Sequence, residues 1–214
     1  MISPYELAFL CDHAYRSDPQ ILPSSYAINI EGAAQWGVGA HDGVSDSFFC
    51  TKYIKTGTFE NVIAFRGTGG RVADIAVDAS HLLVRYSPYL NAARSFLSRY
   101  ATRDTIVTGH SLGGYIAISM AFNRPIKVVA INPPWMGGVL AAAADQIQAS
   151  TSTSFQRSRI IVYQSNTDVV TGYTHQYRIH SSNLRFIRIG AVGFHGLGPV
   201  IEDFKRNRRY AVTW

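Results

Sequence analysis

The sequence predicts an α/β fold: a mostly parallel central sheet with helices on both faces. Three observations predict it. Residues 61–65, 127–132 and 159–163 are short, nearly unbroken apolar runs rich in Val and Ile, the composition of strands buried on both faces of a parallel sheet. Segments with helical spacing of apolar residues stand between them at 88–100 and 139–149. At 105–120 a β-branched run leads into Gly109-His110-Ser111-Leu112-Gly113 and an apolar helical run leads away, the signature of strand, sharp turn and helix. With 214 residues, 47% of them hydrophobic, the chain can bury one substantial core, so 1–214 is read as a single domain.

The elements follow in order. Ser3 caps and Pro4 opens an amphipathic helix carrying Tyr5, Leu7, Ala8, Phe9, Leu10, Ala14 and Tyr15, which covers one face of the sheet. Asp18-Pro19 and Leu22-Pro23 break it. Residues 26–30, 35–38 and 47–54 are β-branched or aromatic runs bounded by Gly or Asp, read as short antiparallel strands that feed 61–65. Residues 71–83 place Asp74 and Asp78 at helical spacing, and 88–100 puts Leu90, Ala93, Phe96 and Leu97 on one face. Arg124-Pro125 ends the helix after Ser111. An Ala-rich helix at 139–149, a flexible Ser/Thr connection at 150–154, a hairpin of 176–179 with 184–189 and a final helix at 199–210 complete the chain.

Composition limits the function classes. No run approaches the roughly 20 apolar residues of a membrane span, and the first residues lack a basic region before a long apolar one. The expected location is the cytoplasm or export by a route other than Sec. Cys11 and Cys50 are the only cysteines, too few for a disulfide framework, and no metal-ligand spacing or aromatic nucleic-acid platform occurs. A net charge of +6 favours anionic partners. Part of it, Lys205, Arg206, Arg208 and Arg209, sits at the end of the last helix, where the helix dipole favours cations for structural reasons.

Chemistry centres on Ser111. A sharp strand-to-helix turn needs Gly109 and Gly113 without a Cβ, and a serine held there needs a base, an orienter for the base and donors for an oxyanion. Arg66-Gly67-Thr68-Gly69-Gly70 leaves the end of a buried strand, where a Gly-rich loop presents N–H groups to developing charge and Thr68 adds a hydroxyl. The Lys and Ser/Thr of a phosphate loop are missing. Asp168 follows the next strand but one after Ser111 and is the chosen orienter, with Asp145 as the rival inside a helix. His195, in a Gly-rich loop before the last helix, is the chosen base; the other reading is a loop histidine capping that helix. His110 is expected to aim its ring elsewhere, and Asp12 and His13 to be surface residues. Trp135, Met136, Phe194 and Leu197 fall in loops expected at the crevice and are candidate substrate contacts.

These residues together resemble the class 3 lipases of the α/β-hydrolase superfamily. The resemblance rests on Ile63-Ala64-Phe65-Arg66-Gly67-Thr68, an acidic stretch through Asp78, Val107-Thr108-Gly109-His110-Ser111-Leu112-Gly113-Gly114, Asn166-Thr167-Asp168-Val169-Val170 and a late His195. It spans roughly residues 45 to 200. It implies an α/β-hydrolase fold and hydrolysis of acyl esters of lipids by Ser111, His195 and Asp168, with no metal or other cofactor. It also implies that Thr68 and the N–H of Leu112 form the oxyanion hole. A lipid or small ester is the expected substrate, with contact to an anionic membrane surface and no nucleic-acid partner. A soluble esterase or thioesterase, and a catalytically silent hydrolase fold used for binding, are the alternatives.

Overall fold

The computed structural model describes residues 1–16, 27–33, 35–45, 48–67, 87–134, 138–168, 179–193, 195–208 and 210–214. Eight strands form one sheet in chain order: β1 (Ala27–Asn29), β2 (Gln35–Ser45), β3 (Phe48–Lys55), β4 (Asn61–Phe65), β5 (Ile106–His110), β6 (Lys127–Ile131), β7 (Arg159–Ser165) and β8 (Leu184–Ile189). The first four pair antiparallel and β4 to β8 pair parallel. The apolar runs at β4 to β7 therefore do form the buried middle of a mostly parallel sheet. β4 and β5 are buried at every residue, because helices cover both faces.

Helices α1 (Pro4–Arg16), α2 (Ser87–Tyr100), α3 (Leu112–Met120), α4 (Gly138–Thr151), α5 (Thr153–Arg157) and α6 (Leu197–Arg206) divide between those faces. Parallel strands added one after another in a single direction require right-handed crossovers that all lie on one side. Accordingly Phe96 and Leu97 of α2, Ile116 of α3, Ala149 of α4 and Phe155 of α5 share one apolar layer with Ile63, Val107 and Val128. The opposite face would be bare without the two ends of the chain. Leu7, Leu10 and Cys11 of α1 and Leu197, Val200 and Phe204 of α6 cover it, packed on Val62, Ala64, Val129 and Tyr163.

α1 begins as its sequence dictates. Ser3 Oγ accepts the Glu6 N–H at 3.2 Å while the Glu6 carboxylate takes the Ser3 N–H at 2.8 Å, a reciprocal capping box. The same carboxylate pairs with Lys55 Nζ at 2.9 Å and accepts from Trp36 Nε1 at 3.3 Å, tying α1 to β2 and β3.

Several expectations are corrected. Residues 184–189 form β8, which extends the parallel sheet beside β7; of the hairpin arm expected at 176–179 only Ile179 is described, outside any strand, and 176–178 lie outside the described residues. The connection at 150–154 is not loose, since α4 runs to Thr151 and Ser152 caps α5 through Phe155 N–H at 3.1 Å. β2 extends to Ser45 with two register shifts against β3, and the last helix runs Leu197–Arg206, not 199–210. The helix expected at 71–83 lies outside the described residues. No helix among them is long and apolar enough to cross a membrane.

Candidate active site

Register fixes where the chemistry sits. Phe65 of β4, Gly109 of β5, Ala130 of β6 and Val162 of β7 lie in one row, so the segments after these strands all leave the same carboxyl edge. Ser111 is the turn from β5 into α3, with φ 54° and ψ −131°. Few residues with a Cβ adopt that conformation, and it is held by close packing of backbone on backbone. A Cβ on Gly109 would overlap the backbone of Gly113 and lie 2.7 Å from Gly114 N; one on Gly113 would overlap the Phe65 carbonyl of β4. Only glycine lets helix and strands approach this closely.

Ser111 N–H donates to Ile131 O at 3.0 Å, and its own carbonyl takes the N–H groups of Gly114 and Tyr115 at 2.9 and 3.1 Å. The N–H groups of Leu112 and Gly113 precede the helical ladder, so the positive end of α3 opens beside the serine. Ser111 is 3% exposed, and its Oγ has no hydrogen-bond partner among the described residues.

His195 Nδ1 meets Asp168 Oδ2 at 2.7 Å, with both side chains almost fully buried. An ionised carboxylate only accepts, so Nδ1 carries the proton and Nε2 keeps the ring's lone pair. That Nε2 is buried with no hydrogen-bond partner among the described residues. Neighbouring contacts hold the two loops. Asn132, at φ 44° after β6, clamps Ser165 at the end of β7 through Ser165 N–H to Oδ1 at 2.8 Å and Nδ2 to Ser165 Oγ at 3.0 Å. Thr167 Oγ1, next to Asp168, accepts the Gly193 N–H at 3.0 Å and so ties the acid loop to the segment leading to His195.

His110 is where the sequence reading fails. Its ring does not aim away: it lies tilted against His195, with centroids 4.8 Å apart and planes at 37°. Burial first, and the repulsion that a second proton on the adjacent His195 would add, push its pKa down to about 3, so it is a neutral plate beside His195. The Tyr15 hydroxyl of α1 lies 3.3 Å from His110 Nδ1 and 3.3 Å from His110 O. The sequence reading names Tyr15 only among the apolar residues of α1; its position four residues after buried Cys11 is the signal that aims it at β5. The Arg66 guanidinium lies 5.0 Å from the Phe49 ring centre and 5.9 Å from that of Tyr15.

Ser111, Leu112, Asp168 and His195 lie in described, buried positions at or after the carboxyl ends of β5, β7 and β8. Thr68, Trp135, Met136 and Phe194 lie outside the described residues. Leu197 is not in a loop: it opens α6 and packs in the core with Val200 and Phe204. Asp145 remains in α4, where its carboxyl, pushed up by burial, faces the Tyr115 hydroxyl. His13 is half-buried with Nδ1 at 3.1 Å from Tyr53 Oη, so it is not a plain surface residue. Asp12 pairs with Arg16 at 2.6 Å. No group of three His, Cys, Asp or Glu side chains suited to a metal ion occurs among the described residues.

Comparison with solved structures finds the same fold in fungal lipases. Rhizomucor miehei lipase, in complex with its propeptide, is 15% identical with a TM-score of 0.55, over 86% of this chain and 66% of that one. A triacylglycerol lipase from Penicillium expansum is 14% identical with a TM-score of 0.53, over 97% and 88%. A lipase from Rhizopus microsporus var. chinensis is 17% identical with a TM-score of 0.43, over 64% and 55%. The chain spans 55%, 66% and 62% of the first three lipases it matches, and at these identities the two likenesses with TM-scores above 0.5 speak for fold alone. A search of curated protein sequences finds no match. The profile of the alpha/beta hydrolase family matches residues 39–193, well over half of the chain and from β2 through the Asp168 loop and β8. A serine on a strained turn between a buried parallel strand and its helix is thus found on a chain that belongs to the alpha/beta hydrolase family.

Proposed function

We propose that the protein is a serine carboxylic-ester hydrolase that cleaves acyl esters of lipids through an acyl-enzyme on Ser111. The observation that carries this reading is the buried 2.7 Å bond from His195 to Asp168, with the His195 ring packed on His110, the residue before the strained serine. In this reading Ser111 Oγ attacks the acyl carbonyl and His195 Nε2 takes its proton. Asp168 holds Nδ1–H and stabilises the imidazolium that forms. The carbonyl oxygen gains negative charge beside the start of α3, where the Leu112 N–H donates to it, joined by Thr68 from the loop after β4. His195 then protonates the leaving alkoxide. Water, activated by the same imidazole, attacks the acyl-serine and releases the carboxylic acid.

A lipid substrate is supported by the apolar residues Trp135, Met136 and Phe194, which the sequence puts shortly after β6 and just before His195, and by the net charge of +6, which favours approach to anionic bilayers. The test is release of fatty acid from phospholipid vesicles with and without anionic lipid, beside hydrolysis of a short-chain p-nitrophenyl ester. Vesicle hydrolysis that rises with anionic lipid and falls with salt is the expected result. Rapid cleavage of the soluble ester with both vesicle types untouched contradicts the lipid reading and selects a soluble esterase.

A further inference from the structure

We propose that Tyr15 of α1 is a positioning residue for acyl transfer: its hydroxyl ties Gly67, the neighbour of Thr68 in the chain, to the nucleophile turn and seats His110 against His195. The inference rests on the Ser111, His195 and Asp168 reading above.

The β4–β5 ladder ends at the pair Phe65 and Gly109. Beyond it the two strands must part, because Arg66-Gly67 leads into the oxyanion loop and His110 into the Ser111 turn. A backbone rung lost here leaves an N–H and a carbonyl in a buried setting. The Tyr15 hydroxyl stands in for that rung: it lies against Gly67 on one side and 3.3 Å from the His110 carbonyl on the other. It occupies the space beside Gly67 so fully that a Cβ on Gly67 would collide with it. Burial raises the phenol's pKa, so the group stays protonated and able to donate.

The same oxygen is 3.3 Å from His110 Nδ1, which fixes the plane of the ring that packs on His195. One hydroxyl therefore touches the segments leading to Thr68, to Ser111 and to the face of His195. The Arg66 guanidinium over Phe49 and Tyr15 adds to the anchoring of the loop start. α1 is outside the β-α units that carry the nucleophile and the acid, so removing the hydroxyl loosens the site's alignment and leaves the central sheet in place.

The test separates alignment from folding. Sites are counted by titration to completion with a fluorophosphonate, and turnover of a p-nitrophenyl ester is expressed per titrated site for wild type, Tyr15→Phe and His110→Asn. Misalignment of reacting groups by well under an ångström is expected to cost about tenfold in kcat per site, with KM unchanged, in Tyr15→Phe. His110→Asn, which keeps a polar partner for the hydroxyl and deletes the plate, is expected to lose kcat in the same sense. Unchanged kcat per site in Tyr15→Phe, with or without fewer sites, overturns the proposal. If Tyr15→Phe loses cooperative unfolding, His110→Asn decides by the same criterion, and loss of folding in both assigns the pair to stability and overturns it. A wild-type protein that neither labels nor turns over overturns the underlying hydrolase reading instead.

Discussion

Ser111 carries the cost of its own geometry. A side chain at φ 54° and ψ −131° stores about 1–3 kcal/mol of backbone strain. Ser111→Gly relieves that strain and adds back part of it as unfolded-chain entropy, so it is expected to raise the thermal midpoint slightly while removing all turnover. Ser111→Ala, which keeps the strain, is expected to leave the midpoint within about a degree and abolish hydrolysis. Calorimetry beside an ester assay checks both, and a Ser111→Gly protein that melts lower than wild type would contradict the strain argument. At this scale the sequence was readable for the serine and its glycines, because the turn's geometry restricts residue type. It was not readable for His110, whose ring direction depends on α1 and on the loop after β8, more than 80 residues away in the chain.

At the scale of elements, the elbow is a contact of α3 with β4 through Gly113. A methyl group there meets the Phe65 carbonyl and cannot be accommodated by a side-chain shift, since the obstacle is backbone. Gly113→Ala is expected to cost about 3 kcal/mol or more and to disable the site with it. Chemical denaturation reads the cost; a variant of wild-type stability would show that α3 can back away from β4. The capping box of α1 is a second such joint. Glu6→Gln keeps its size, but it weakens the bond to Ser3 and leaves Lys55, 11% exposed, without its nearest anion, for an expected loss of about 2 kcal/mol. Ser3 was legible as a cap from its place before Pro4. The pairing of Glu6 with β3 was not, since it joins residues far apart in the chain. The parallel place of 184–189 beside β7 was not legible for a related reason: a strand shows its direction in the sheet only through a neighbour far off in the chain.

For the whole molecule, buried neutral and paired groups make stability depend on pH. His110 is pushed from 6.5 to about 3 and His13 is also lowered, chiefly by burial, so the unfolded chain binds protons that the folded chain refuses. The His110 contribution is complete above about pH 6.5 and is lost as pH falls toward 3, by up to about 1.4 kcal/mol per pH unit, and that of His13 is lost in the same direction. For Glu6 burial alone would raise the carboxyl, but the Ser3 N–H and Lys55 outweigh it and hold it below 4.5, so its contribution too is lost in acid. Melting temperature is expected to fall steadily from pH 6.5 to 4 and less steeply in His110→Asn; equal slopes would mean that His110 is protonated in the fold. The architecture itself was legible, since both the unbroken apolar runs and the helical spacing between them follow from burying a parallel sheet on two faces. The central claim, that this architecture presents Ser111 as a nucleophile served by His195 and Asp168, is tested most directly by treating the native protein with a fluorophosphonate and locating the adduct by mass spectrometry. The account predicts one adduct per chain, on Ser111, lost in Ser111→Ala and strongly slowed in His195→Ala. An unlabelled native protein, or one labelled equally in Ser111→Ala, would contradict it.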